Sequence, residues 1–200
     1  MNPVSEVRAR KAELRARLLR ARRDLTADER LAASAALVTT VRALPPLTAA
    51  GVVAAYVSMG TEPGTRELID ALRDSGTRVL LPVLLPDNDL DWAEYQGPQA
   101  LERTPRGLLE PTGPRLGPQA VTQAQAVLLP GLAVDVHGVR LGRGGGSYDR
   151  VLARLKEAGT RPVLVVVLYA HEVVDTVPRE PHDHLVDAAV TTNGVQRFLR

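Results

Sequence analysis

The sequence predicts an α/β fold in which a largely parallel sheet is covered by helices on both faces. Three observations carry that expectation. Short valine-rich runs alternate along the chain with segments of helical spacing, the pattern that lays crossover helices over parallel strands. The run Val163 to Tyr169 is almost wholly apolar, as a strand buried on both faces must be. The 200 residues are enough to fold as a single domain, residues 1–200, around one core.

Each element has its own reason. From Ser5 to Asp24 the apolar residues Val7, Leu14 and Leu18, continued by Leu25, fall at helical spacings among arginines and predict an amphipathic helix. Thr26-Ala27-Asp28-Glu29 reads as a capping box, so a second helix runs to about Ala43 and stops before Pro45-Pro46. Ala50 to Val57 is a buried strand followed by the polar turn Gly60 to Gly64, and Thr65 to Ser75 is a helix closed by Gly76. Arg78 to Leu85 and Leu90 to Tyr95 form a hairpin around Pro86-Asp87-Asn88-Asp89. Residues 96–118, rich in proline and glycine, read as irregular chain. A strand at Ala126 to Leu129, a glycine-rich loop, a helix from Tyr148 to Ala158 and strands at Val163 to Tyr169 and Asp187 to Thr192 complete the pattern.

Composition narrows the function. No apolar stretch approaches the ~18 residues that a membrane span needs. The first thirty residues hold many arginines and no apolar signal core, and the chain has no cysteine, so a cytoplasmic location without disulfides or thiolate chemistry is expected. The net charge of +2 is uneven. Residues 1–30 carry nine basic side chains against five acidic ones, an excess of +4, and the remainder sums to −2. A basic end of this kind serves nucleic acid, a membrane surface or an anionic small ligand. Only six aromatic residues (one Trp, four Tyr, one Phe) leave little for a base-stacking platform, which argues against single-stranded nucleic acid.

The chemistry concentrates between Arg140 and Arg150. Four of the five residues from Gly142 to Gly146 are glycine, a density that costs roughly 0.5–1 kcal/mol per residue and exceeds what a simple turn requires. Such a loop turns backbone amides inward at the start of a helix whose dipole favours an anion, and Arg140, Arg143 and Arg150 add guanidinium groups suited to phosphate. It lacks the Gly-Lys-Ser/Thr ending of a Walker A loop and the third glycine of a dinucleotide fingerprint, and Asp149 stands where a nucleophile elbow needs glycine. A flexible surface turn is the plain alternative. Asp149 in the following helix suits either a magnesium ion shared with phosphates or the helix dipole alone. Lys11 and Arg15 share a helix face, either to meet an anion or as part of a solvated basic face. Arg8, Arg10, Arg17, Arg20, Arg22 and Arg23 read as solvated. His182-Asp183-His184 has no third ligand at zinc spacing.

Several separated segments resemble the 5-formyltetrahydrofolate cyclo-ligase family, also called methenyltetrahydrofolate synthetases. Pro-Gly-Leu-Ala-Val-Asp at 130–135 and Arg-Leu-Gly-Arg-Gly-Gly-Gly-Ser-Tyr-Asp-Arg at 140–150 are similar to its signature. Lys11 to Arg15 resembles the family's N-terminal Lys-x-x-x-Arg, Tyr56 to Glu62 its substrate loop, Leu108 to Pro111 its Gly-Ile-x-Glu-Pro, and His182-Asp183 with Asp187 its closing segment. The family usually carries two tyrosines before the aspartate, where this chain has Ser147 and then Tyr148.

The resemblance implies a three-layer α/β/α sandwich with a Rossmann-like sheet. It implies an enzyme that uses ATP and Mg²⁺ to convert 5-formyltetrahydrofolate, a reduced formyl folate, into 5,10-methenyltetrahydrofolate; a monomer that binds neither nucleic acid nor membrane is expected alongside. Lys11, Arg15 and Arg140, Leu141, Gly142, Arg143, Gly144, Gly145, Gly146, Ser147 and Tyr148 match the ATP positions. Arg143, Gly144, Gly145, Gly146 and Ser147 also border the folate, with Glu62 on the pterin nitrogens and Val57 beside it. Asp149 and Asp183 match the metal positions, and Arg143 and Lys11 are the expected catalytic residues. Two other readings stay open at this level. One is a Rossmann-like protein that binds a phosphosugar or acyl-CoA without ligase activity, and the other is a nucleic-acid module built on the N-terminal arginines.

Overall fold

The computed structural model describes residues 3–198. Helix α1 spans Pro3–Asp24 and α2 spans Ala27–Arg42. Between them the capping box forms as its sequence requires: Thr26 Oγ1 accepts from the Glu29 amide at 3.1 Å, and Glu29 Oε2 accepts from the Thr26 amide at 2.7 Å. A short helix α3, Pro45–Thr48, was not expected, because the prolines that stop α2 also suit a helix start, where a missing N–H costs nothing. Strand β1 is only Val52–Ala54, followed by α4 at Arg66–Asp74 and the expected hairpin of β2 (Arg78–Leu84) and β3 (Leu90–Glu94).

Residues 96–118 are more regular than their composition indicates. They hold an antiparallel ribbon of β4 (Leu101–Arg103) and β5 (Leu109–Pro111), too short for a readable alternation. Glu110 docks the ribbon by accepting from the Leu84 amide at 2.9 Å. Then come β6 (Ala126–Pro130), β7 (Ala133–Asp135), β8 (Arg140–Leu141), α5 (Ser147–Glu157), β9 (Val163–Val167), β10 (Val173–Val174), β11 (Ala188–Thr191) and β12 (Gly194–Arg197). The two-residue strands and the antiparallel edge strand β12 carried no sequence signal.

The main sheet has the order β12-β11-β9-β6-β1-β2-β3, parallel except at its two antiparallel edges. From β1 the chain steps outward to β2, and from β6 it steps the opposite way to β9. That reversal between β1 and β6 opens a crevice at the strands' C-terminal ends. Alternate residues supply two cores. Val53, Val79, Leu128 and Val165 face Leu37, Leu68 and Ile69 of α2 and α4, whereas Ala54, Leu80, Leu129 and Val166 face Val151, Leu152 and Leu155 of α5. The result is a three-layer α/β/α sandwich. A side sheet, β10-β7-β8, packs its Ala133 and Leu141 against Leu18 of α1.

Helix α1 is held there by more than leucines. Arg22 Nε and Nη2 donate to the two Glu172 oxygens at 2.6 and 3.0 Å, and Nη2 also donates to the Gly131 carbonyl at 2.6 Å. Both side chains are fully buried. This corrects the expectation that Arg22 faces solvent. Residues 11, 14, 15, 18 and 22 lie at i+3 and i+4 spacings, so Arg22 shares the stripe of Leu14 and Leu18 that docks on the protein. Burial opposes both charges. Burial raises the Glu172 carboxyl above its ordinary value despite the hydrogen bonds from Arg22, while the contacts with Glu172 outweigh burial for Arg22 and raise its own pKa.

Removing one partner of such a pair strands a buried charge. Arg22→Ala is therefore expected to destabilise the fold by about 3–5 kcal/mol, measured by urea unfolding.

Candidate active site

A cavity of about 570 Å³ opens at the crevice between β1 and β6. Its walls come from α1, the segment after β1, the β4–β5 ribbon, the β8–α5 loop and the segment before β11. Lys11, Arg15, Val57, Glu62, Arg140 through Asp149, and Asp183 line it; Arg150, expected to face phosphate, does not, its Nη1 donating instead to the Asp87 carbonyl at 2.9 Å. Parallel α/β topology places these distant segments together because each follows the C-terminal end of a strand or, for α1, lies across those ends.

The glycine loop has the geometry its composition foretells. Gly144 and Gly146 adopt φ of +95° and +78°, and Gly146 begins α5 with no side-chain cap, so the helix start faces the cavity with backbone alone. Arg15 braces this loop, its Nε donating to the Gly142 carbonyl at 2.9 Å. Arg140 lies beneath, Nη1 donating to the Pro130 carbonyl at 2.8 Å and Nη2 standing 3.4 Å from Asp149 Oδ1. Its side chain is 7% exposed against 57% for Asp149, so its charge is poorly compensated. Burial lowers its pKa, an effect that Asp149 only partly offsets. A guanidinium stays ionised, so Arg140 is a buried, under-compensated cation on the cavity wall.

Also on the cavity wall, the loop carrying Glu62 is tightly braced. Ser58 and Thr65 exchange amide-to-hydroxyl hydrogen bonds at 2.8 and 3.0 Å, and Tyr169 Oη donates to the Thr61 carbonyl at 3.1 Å. Glu62 Oε2 accepts from the Met59 amide at 2.8 Å, while Oε1 faces Arg143 Nη1 at 3.3 Å. Glu62 is thus held with one oxygen toward Arg143 of the glycine loop. Apolar side chains, among them Val57, Leu84, Leu90, Leu108 and Leu109, also line the cavity. The hydroxyl of Tyr148 is buried without a hydrogen-bond partner, and burial raises its pKa further above the ordinary range, with Glu62 adding to the effect.

The carboxylates beside the glycine loop and α1 already hold cations. Asp149 faces Arg140, and Asp183 Oδ2 accepts from Lys11 Nζ at 2.7 Å. Lys11 Nζ also donates to Glu180 Oε2 at 2.9 Å, so the lysine that shares a face with Arg15 is not solvated. Asp149 and Asp183 both line the cavity and offer hard oxygen donors, the type Mg²⁺ takes with one or two carboxylates and phosphate oxygens, so the donor set fits that ion. Ligand atoms of Glu180, His182 and Asp183 lie within 4.8 Å of one another, a grouping in which His184 has no part. Glu180 escaped the sequence reading because no spacing rule relates it to Lys11. The leucines of the apolar wall were likewise indistinguishable from core.

A model of the 5-formyltetrahydrofolate cyclo-ligase family matches residues 7–192. The chain belongs to this family. A 5-formyltetrahydrofolate cyclo-ligase of Escherichia coli K12 is 32% identical over 178 residues, 87% of this chain and 96% of its own length. One of Mycolicibacterium smegmatis is 42% identical over 136 residues, 66% of this chain and 68% of its own. Among solved structures, the Aquifex aeolicus 5,10-methenyltetrahydrofolate synthetase superposes with a TM-score of 0.80 at 29% identity, covering 95% of this chain and 93% of that one. The Mycoplasma pneumoniae synthetase, at 20% identity and a TM-score of 0.69, shares the fold over 90% of this chain and 97% of that one.

Within the cyclo-ligase fold of this chain, the left-handed backbone at Gly146 is a requirement that a side chain strains even though space is open there. Gly146→Ala is expected to cost about 1–2 kcal/mol, read as a lowered thermal unfolding midpoint.

Proposed function

We propose that this chain is an ATP- and Mg²⁺-dependent 5-formyltetrahydrofolate cyclo-ligase, a single domain over residues 1–200, that forms 5,10-methenyltetrahydrofolate with release of ADP and phosphate. The observation that carries the reading is Arg140, a buried, under-compensated cation beneath a glycine loop that opens a helix, in a cavity that also holds apolar side chains and a braced carboxylate. A polyanion suits the loop and a flat, N–H-rich ring suits the carboxylate.

On this reading Glu62 accepts hydrogen bonds from the pterin nitrogens, with Val57 packed beside the ring. Arg140 to Tyr148, Lys11 and Arg15 hold the phosphates, and Arg143 to Ser147 also border the folate. Mg²⁺, held by Asp149 and Asp183, supplies charge neutralisation on the phosphates. The formyl oxygen attacks the γ-phosphorus and ADP leaves; the neighbouring folate nitrogen then attacks the formyl carbon, and phosphate departs with the former formyl oxygen. No protein nucleophile is needed. What the chain contributes is alignment of the two substrates and cations facing the charge that develops, a role this reading gives to Arg143 and Lys11.

The described residues contain no helix long and apolar enough to cross a membrane. A cytoplasmic monomer belongs to the same reading, in keeping with a chain that has no cysteine. Lys11, Arg15 and Arg22 spend their charge inside the protein, which weighs against a nucleic-acid surface.

The purified protein with 5-formyltetrahydrofolate, ATP and Mg²⁺ is expected to produce the near-ultraviolet absorbance of the methenyl product, and absence of both product and folate-dependent ATP consumption would refute the proposal. Arg143→Ala is expected to lower kcat by about 10²-fold or more with an unchanged circular dichroism spectrum.

A further inference from the structure

Lys11 is 7% exposed and lies between Glu180 and Asp183, which are 12% and 14% exposed. Asp183 Oδ2 also accepts from the Glu180 amide at 2.7 Å, a turn that brings both carboxylates to one point. Arg8 reaches Glu180 Oε1 at 3.4 Å but is 71% exposed, and His182 Nε2 stands 3.9 Å from Glu180 Oε2, so Lys11 is the shielded cation of the cluster. Glu180 is held below its ordinary pKa chiefly by the hydrogen bond from Lys11. The lysine read as a phosphate contact and the aspartate read as a metal position therefore neutralise each other when neither ligand is bound.

We propose that Glu180 is a positioning residue: with Asp183 it holds the Lys11 ammonium as a tethered cation over the metal-binding carboxylate, from which Lys11 passes to the nucleotide phosphates when metal and nucleotide bind together. This rests on the roles given above to Lys11 and Asp183. The physical reason is competition between like charges. A divalent ion arriving alone must share Asp183 with an ammonium that Glu180 keeps tethered beside it, whereas an ion arriving with phosphates brings the lysine a new partner that draws it away. Metal alone is thus disfavoured, and the metal–nucleotide pair binds as a unit.

The test is Mn²⁺ titration of the full chain without nucleotide or folate, followed by loss of the free-ion electron paramagnetic resonance signal. Lys11→Gln, which removes the tethered charge, is expected to bind Mn²⁺ about tenfold tighter than the wild type. Lys11→Arg keeps the charge and is expected to bind as weakly as the wild type. Glu180→Gln, which keeps the shape and loosens the tether, is expected to raise KM for MgATP several-fold while leaving KM for the formyl folate unchanged. Mn²⁺ affinity equal in Lys11→Gln and wild type overturns the proposal, as does an unchanged KM for MgATP in Glu180→Gln, the variant that decides should Lys11→Gln fail to fold. Absence of cyclo-ligase turnover in the wild type would defeat the functional reading instead, and the nucleotide-free titration would still decide whether Lys11 excludes the metal.

Discussion

The active cavity depends on one buried contact, the clamp of Arg22 on Glu172 and the Gly131 carbonyl. Gly131 follows β6 and Glu172 follows β9, so the clamp lays α1 across the C-terminal rim of the parallel sheet. From Arg22 back to Lys11 the helix advances about 16 Å at its usual rise, and along that length Leu18, Arg15 and Lys11 all fall on the docked face. Without α1 in place the glycine loop would have no Arg15 brace and the carboxylates of the closing segment no Lys11. Desolvation makes such a pair a poor source of net stability, so its evident use is to fix where α1 lies.

Two buried arginines show how the same residue serves opposite ends. Arg22 has a carboxylate and a carbonyl to receive its donors, and its charge is satisfied within the fold. Arg140 has a carbonyl and, at 3.4 Å, an exposed aspartate, so its charge remains directed at the cavity. Beside it, the glycines Gly142 to Gly146 keep the helix start clear of side chains. At Gly142 a Cβ would stand 3.1 Å from Arg140 Nη1, which shows how closely the loop lies over that guanidinium. The loop gives up stability for this access, a trade that fits a binding site and not a simple connection.

Much of this was legible from residues alone. The capping box at Thr26 and Glu29, the hairpin around Pro86 to Asp89 and the alternation of strands and helices are local signals, and each formed where it was expected. The resemblance of the 140–150 run and its flanks named Lys11, Arg15, Glu62 and Asp183, which the cavity brings together with the glycine loop, but not Glu180 or the hairpin leucines Leu84 and Leu90. The ribbon of β4 and β5, the strands β7, β8 and β10 and the edge strand β12 were not legible, because two to four residues are too few to show a period and their pairing is supplied by distant chain. Arg22 was misread for a related reason. Its place on the stripe of Leu14 and Leu18 was visible, but a cation among leucines looks solvated until an acid is known to face it.

The sequence by itself determined the class of fold, the glycine–arginine loop and the set of side chains with phosphate and carboxylate chemistry. Only the tertiary structure decided how those charges pair: Lys11 with Glu180 and Asp183, Arg22 with Glu172, Arg143 with Glu62. Helix, cap and turn signals act over a few residues, whereas these partners lie between 81 and 172 positions apart and meet only because helix and strand termini converge on one rim of the sheet. Periodicity specifies which face of a helix is buried, and docking specifies what it is buried against.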